Sequence, residues 1–131
     1  MQTNLGKILI VDDEAHIRML IEQTLEDLED EGVELLTANN GEDALSMIKE
    51  EKPSLVFLDV MMPKMNGFEV CHTVKQSPDF NQSYIVMLTA KGQEPDRKKS
   101  LEMGADMYMT KPFDPELLLE TAETILGVGR D

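Results

Sequence analysis

The chain has 131 residues with 12 basic and 26 acidic side chains, a formal charge of −14. That length suits one domain with a core buried without disulfides or a structural metal, and so acidic a surface excludes the basic stripe that tracks nucleic-acid phosphates. The lone cysteine, Cys71, excludes an intramolecular disulfide and fits a reducing cytoplasm, while no apolar run approaches the roughly 20 residues that span a bilayer.

Lys7 to Val11 reads as an aliphatic strand, and beyond Asp12 and Asp13 the residues Ile17, Leu20, Ile21, Leu25 and Leu28 recur at helical spacing until Gly32. One helix is expected there. Its end carries Glu26, Asp27, Glu29, Asp30 and Glu31, acids that oppose a helix C-terminus and need full solvation. Residues 33–38 form the second strand, Asn39-Asn40-Gly41 a turn, and 42–51 a helix with Ala44, Leu45 and Ile48 inward. After Pro53, residues 55–58 are continuously apolar, the pattern of a strand covered on both faces. Gly67 opens a helix with Val70, Cys71 and Val74 on one side, ended by Ser77-Pro78. Residues 84–88 form the fourth strand and carry Thr89 and Ala90 past its end. A poorly patterned helix from Pro95 to Gly104 has Leu101 and Met103 as its chief anchors. The fifth strand spans 106–110, Lys111-Pro112-Phe113 is a sharp loop, and Pro115 begins a helix with Leu118, Ala122, Ile125 and Leu126.

Five strand-helix units joined by short connections predict an α/β fold, a five-stranded parallel sheet doubly wound with five helices. A single unit over 1–131 is expected, with a core of about 6–126 and short tails. No Gly-x-Gly-x-x-Gly turn for a dinucleotide is present.

Parallel strands bring their carboxyl ends to one edge, where open sheets of this class bind ligands. That edge collects Asp12 and Asp13, Asp59, Thr89 and Lys111 from four strand ends. Each has an ordinary explanation by itself, the Asp pair above all as a helix cap. Together, crowded carboxylates call for a hard cation. Magnesium, held by oxygen ligands, suits them, and spacing alone also admits manganese or calcium. Lys111 adds a compact positive charge and Thr89 a hydroxyl donor, as a phosphoryl group would require, and Asp59 is the best placed nucleophile. His16 and His72 lack any paired ligand pattern and read as surface or packing residues.

Through VDDE at 11–14, LDVMMPKMNG at 58–67, LTA at 88–90 and KPF at 111–113, the chain resembles the receiver domains of two-component signalling over essentially its whole length. The resemblance implies the flavodoxin-like strand order 2-1-3-4-5 and makes Asp59 the phosphoacceptor. Asp12, Asp13, Asp59 and the Met61 carbonyl would serve a magnesium ion. Lys111 and Thr89 would receive the phosphoryl group, with Tyr108 as a coupled aromatic, small Ala90 leaving access, and a cis Lys111-Pro112 bond. Met61 and Lys91 fall where the family tunes loss of the phosphoryl group. The implied partner is a histidine kinase or histidine phosphotransfer protein. Beside the resemblance, the poor apolar pattern of the helix after Pro95 makes it the element cheapest to rearrange, so that helix, the fifth strand and the last helix form the candidate output face. Output partner or output domain, phosphorylation-dependent homodimer formation, and whether the receiver stands alone are left open. Two competing readings are a pseudo-receiver that binds partners without modification and an aspartate-based phosphohydrolase. The second would usually place an acid where this chain has Met61.

Overall fold

The computed structural model describes residues 6–90 and 94–128. Five parallel strands, β1 (Lys7–Val11), β2 (Glu34–Ala38), β3 (Leu55–Asp59), β4 (Tyr84–Ala90) and β5 (Met107–Lys111), form one sheet in the order β2-β1-β3-β4-β5. All five residues of β3 are buried, as a continuous apolar run covered on both faces requires, whereas β2 and β5 at the edges are only partly covered.

Among the described residues six helices cover the sheet rather than the five expected: α1 (Ala15–Thr24), α2 (Glu26–Asp30), α3 (Gly41–Glu51), α4 (Gly67–Gln76), α5 (Glu94–Glu102) and α6 (Pro115–Leu126). The first predicted helix breaks at Leu25, whose backbone leaves the helical region (φ −99°, ψ 7°) while its side chain stays fully buried. The break changes the electrostatic reading of the acids that follow. Glu26, Asp27 and Glu29 occupy the first turn of α2, where negative charge is favourable, and not the end of a long helix.

Strand alternation sends residues to two apolar clusters. Leu9, Val11, Val56, Leu58, Ile85 and Met87 face α3 and α4, where they meet Ala44, Ile48, Val70, Cys71 and Val74. Ile8, Ile10, Leu55, Phe57, Val86 and Leu88 face α1 and α6 and meet Ile21, Leu25, Leu118 and Ala122. Two helical anchors differ from expectation. Leu20 is 47% and Leu101 50% exposed, and in α5 it is Ser100 that is fully buried, its hydroxyl donating to the Asp96 carbonyl at 2.7 Å.

Local chemistry starts and stops the helices. Asn66 and Glu69 form a reciprocal capping box at α4, Asn40 caps α3 by accepting from the Asp43 amide, and Asp114 followed by Pro115 opens α6. The Lys75 ammonium, 2.7 Å from Asp106, ties α4 to the start of β5, and the same Asp106 carboxylate accepts from the Ile85 amide at 2.8 Å. No helix among the described residues is long and apolar enough to cross a membrane.

Candidate functional site

The site grows out of the pleat of the sheet. Ile8 and Ile10 point toward α1 and α6, and the next residue in that row is Asp12; Leu55 and Phe57 lead likewise to Asp59, and Met109 to Lys111. Three polar side chains thus close three apolar rows on the same face, Asp59 and Lys111 as the last residues of β3 and β5 and Asp12 one residue beyond β1. Lys111 lies two positions beyond the β5 residue that aligns, through Leu88, with Asp59, and its long side chain reaches back across β4. Its ammonium donates to Asp59 Oδ1 and Asp12 Oδ2, both at 3.1 Å, and lies 3.8 Å from Glu14.

The backbone around Asp59 is held closely. The Val60 amide donates to the Leu88 carbonyl at 3.2 Å, and the Gly67 amide donates back to the Val60 carbonyl at 2.8 Å. A Cβ on Gly67 would collide with the Asp59 carbonyl, and one on Gly41 with the Met65 carbonyl, so the loop between β3 and α4 closes only over glycine at both places.

Asp59 is almost completely buried, and its carboxyl is pushed up from 3.8 to about 7. Burial is the main cause and the Asp12 charge the next, opposed by the hydrogen bond and charge of Lys111. For Lys111, burial alone would lower the ammonium; the bonds and charges of Asp59 and then Asp12 outweigh it and leave it raised. One cation is therefore divided between two carboxylates, and the acidic excess is left for a second cation to relieve.

Carboxylate oxygens of Asp12, Asp13 and Glu14 lie within 4.8 Å of one another, with Asp12 buried and the other two exposed. An all-oxygen, acid-rich donor set beside an Asp59 that resists ionisation fits a hard divalent ion such as magnesium. Glu14 is a member that the reading of the sequence passed over, although it completes the quoted VDDE segment; three consecutive acids at a strand end were the available signal. Met61 follows in the loop with its side chain 71% exposed. Lys91 lies outside the described residues.

Thr89 and Tyr108 belong to the other face. Thr89 continues the Ile85, Met87 row, and its buried hydroxyl donates to the Met109 carbonyl at 3.4 Å, a long bond. Tyr108 pairs in register with Met87 and is half buried against that same cluster, with the Arg97 guanidinium 5.0 Å from its ring centroid. Ala90, paired with Lys111, is exposed, and the Lys111-Pro112 peptide bond is cis. Asp12, Asp59 and Lys111 are in direct contact; Thr89 and Tyr108 stand across the sheet from them. His16 and His72 are both exposed.

The family pattern described as "Response regulator receiver domain" matches residues 8–123. Among curated proteins, the "Probable transcriptional regulator ycf27" of Porphyra purpurea is 46% identical over 126 residues, 96% of this chain and 49% of the relative. The "Alkaline phosphatase synthesis transcriptional regulatory protein PhoP" of Bacillus subtilis is 46% identical over 120 residues, 92% and 48% of the two chains. The chain thus spans about half the length of the curated relatives it matches. Among solved structures, the signal receiver domain of a DNA binding response regulator protein from Colwellia psychrerythraea superposes with a TM-score of 0.85 at 28% identity, covering 93% of this chain and 98% of that one. The chemotaxis response regulator CheY4 of Vibrio cholerae gives 0.80 at 33% identity, with 94% and 99% covered. Sheet order, the acid pair with its lysine and a family match across almost the whole sheet agree, and the chain belongs to the response regulator receiver domain family.

Proposed function

We propose that this receiver accepts a phosphoryl group on Asp59 from the phosphohistidine of a histidine kinase or histidine phosphotransfer protein. The observation that carries the reading is the Lys111 ammonium held 3.1 Å from both Asp59 and Asp12 at the carboxyl edge of the sheet. An oxygen of ionised Asp59 attacks phosphorus; the phosphorus–nitrogen bond breaks, and the departing imidazole nitrogen takes a proton from solvent. Water later attacks the aspartyl phosphate, releasing inorganic phosphate and restoring the carboxylate. No external substrate is turned over.

Asp12, Asp13, Asp59 and the Met61 carbonyl would hold magnesium, with manganese as a substitute. Bound there, the ion offsets the charge on the transferred oxygens and favours the ionised form of Asp59. Lys111 exchanges a carboxylate for the phosphoryl group, a charge-assisted bond it is already positioned to make. The Thr89 hydroxyl leaves a long bond to the Met109 carbonyl for a phosphoryl oxygen, and Tyr108 follows on its own face of the sheet. We place the output face on α5, β5 and α6, where Leu101, Tyr108 and Leu117 border a surface groove of about 640 Å³. The names of the curated relatives support transcriptional control as the output of the whole protein; so acidic a receiver would leave DNA contact to other residues. The buried Cys71 thiol suits a reducing cytoplasm.

Intact mass after incubation with a small acyl phosphate and magnesium tests the assignment. One acid-labile phosphoryl group on the wild type and none on Asp59→Asn is the expected result. Modification that persists in Asp59→Asn rejects Asp59 as acceptor, an unmodified wild type favours the pseudo-receiver, and sustained release of phosphate from added phosphoesters favours the phosphohydrolase.

A further inference from the structure

Arg18, on α1, points back over the turn that leaves β1, and its Nη1 donates to the backbone carbonyl of Asp12 at 2.7 Å. It makes no ion pair among the described residues, although acids crowd the turn. The choice of partner is informative. An arginine bonded to the Asp13 carboxylate would occupy oxygens that the proposed metal requires, whereas one bonded to a carbonyl holds the backbone and leaves those oxygens alone.

With this bond, every polar group of Asp12 is engaged. Its amide donates to the Ala38 carbonyl at 3.2 Å, Oδ1 accepts from the Glu14 amide at 2.9 Å, and Oδ2 accepts from Lys111 at 3.1 Å. The Ile17 and Arg18 amides hold the Glu14 carbonyl at 3.1 and 3.2 Å, and the Arg18 side chain adds the bond that ties Asp12, deeper in the turn, to the body of α1. The turn needs tying because its three carboxylates repel one another, and repulsion favours any backbone that spreads them. The N-cap residue of α1, Glu14, makes no side-chain capping bond, so its own side chain adds nothing to that restraint.

We propose that Arg18 is a positioning residue for the metal site, holding the Asp12 backbone so that the acidic turn is preorganised for a divalent cation. The role rests on the metal site proposed above. It also makes a prediction opposite in sign to the simplest electrostatic expectation. Removing a positive charge near a cation site should tighten cation binding through Coulomb's law; removing a positioning group should weaken it, because the turn must then be ordered when the ion binds.

The experiment compares wild type, Arg18→Met, Arg18→Lys and Ala122→Gly. Calorimetry reads magnesium binding, the electron spin resonance of free manganese reads manganese binding, and thermal unfolding runs in parallel. Ala122 is buried on α6 and outside the site, so its variant reports what general destabilisation alone does to affinity. Arg18→Met should bind both ions about tenfold more weakly, the equivalent of one charge-assisted hydrogen bond. Arg18→Lys should recover part of that loss, and Ala122→Gly should bind like wild type. In phosphoryl uptake, Arg18→Met should need more magnesium yet approach the wild-type rate at saturation. Affinity within twofold of wild type, tighter binding, or a loss matched by Ala122→Gly at equal melting temperature overturns the role of Arg18 alone. A wild type that binds neither ion removes the metal site and this role with it.

Discussion

On the face covered by α1 and α6, the rows ending in Asp12, Asp59 and Lys111 rest on fully buried Ile8, Ile10, Leu55 and Phe57, with Ile21, Leu25, Leu118 and Ala122 packed against them. On the opposite face, α5 buries completely one of its described side chains, the hydroxyl-bearing Ser100, and lays the Lys99 ammonium 4.8 Å from the Phe68 ring and the Arg97 guanidinium 5.0 Å from that of Tyr108. Burying a large apolar side chain is worth about 1.5–3 kcal/mol, and an exposed cation over a ring about 0.5–1 kcal/mol. The difference separates two tasks. The groups proposed to perform chemistry stand on packed hydrocarbon that resists displacement, and the element proposed to report the outcome is attached by contacts cheap enough to exchange.

The sharpest break in that comparison is Phe57→Ala. It should cost about 3–5 kcal/mol in urea unfolding, against under about 1 kcal/mol for Lys99→Ala. Similar costs for the two would erase the distinction.

Lys111→Met comes next, because it strips the shared cation from two nearly buried acids. A loss of about 3 kcal/mol is expected at pH 8 without metal, shrinking toward pH 5, where Asp59, held near 7, takes up a proton. A loss that does not vary with pH would show that the lysine acts by packing.

Asp59→Asn should have the opposite sign. Burial and then the Asp12 charge raise this carboxyl from 3.8 to about 7, so the folded chain holds the proton more tightly than the unfolded one. Stability from that preference is intact below pH 3.8 and is lost as pH rises through about 7. In metal-free buffer at pH 8 the variant should therefore be more stable than wild type, on the order of 1–3 kcal/mol, with the gap closing by about pH 4. A variant less stable than wild type at pH 8 would mean that the lost bond to Lys111 outweighs the relief of burial.

The smallest effect is on exchange: α5 amides should exchange with deuterium ahead of those in α6, and Lys99→Ala should speed α5 alone.

Much of this arrangement was legible in the sequence because a strand covered on both faces must be apolar throughout, so 55–58 and 84–88 announce themselves. Asp12, Asp59 and Thr89 were legible because each falls directly after such a run, and Lys111 because it follows the strand pattern at 106–110. The break at Leu25 was hidden: Leu25 and Leu28 keep helical spacing on both sides of it, and only the backbone angles record the interruption. Leu101 looked like an anchor because its pattern is weak; its companion Met103 packs on the core but lies beyond the end of α5, whose rotation turns Ser100 inward. Membership of the common edge was readable, but not which face each group takes, since that depends on where the strands end. The bond from Arg18 left no trace, because its acceptor is a backbone carbonyl that any residue could supply.

The pleat has a further consequence for β5. Tyr108 and Thr110 look one way and Met109 and Lys111 the other, so the lysine at the acids and the tyrosine under Arg97 are mounted on opposite sides of one short ribbon. A slip of that ribbon by one residue would present a threonine to Asp12 and Asp59 and a methionine to Arg97, disabling both sides at once. The pairing of β5 with β4 therefore acts as a spelling rule shared by two faces, and neither face can be altered by shifting the strand without rewriting the other.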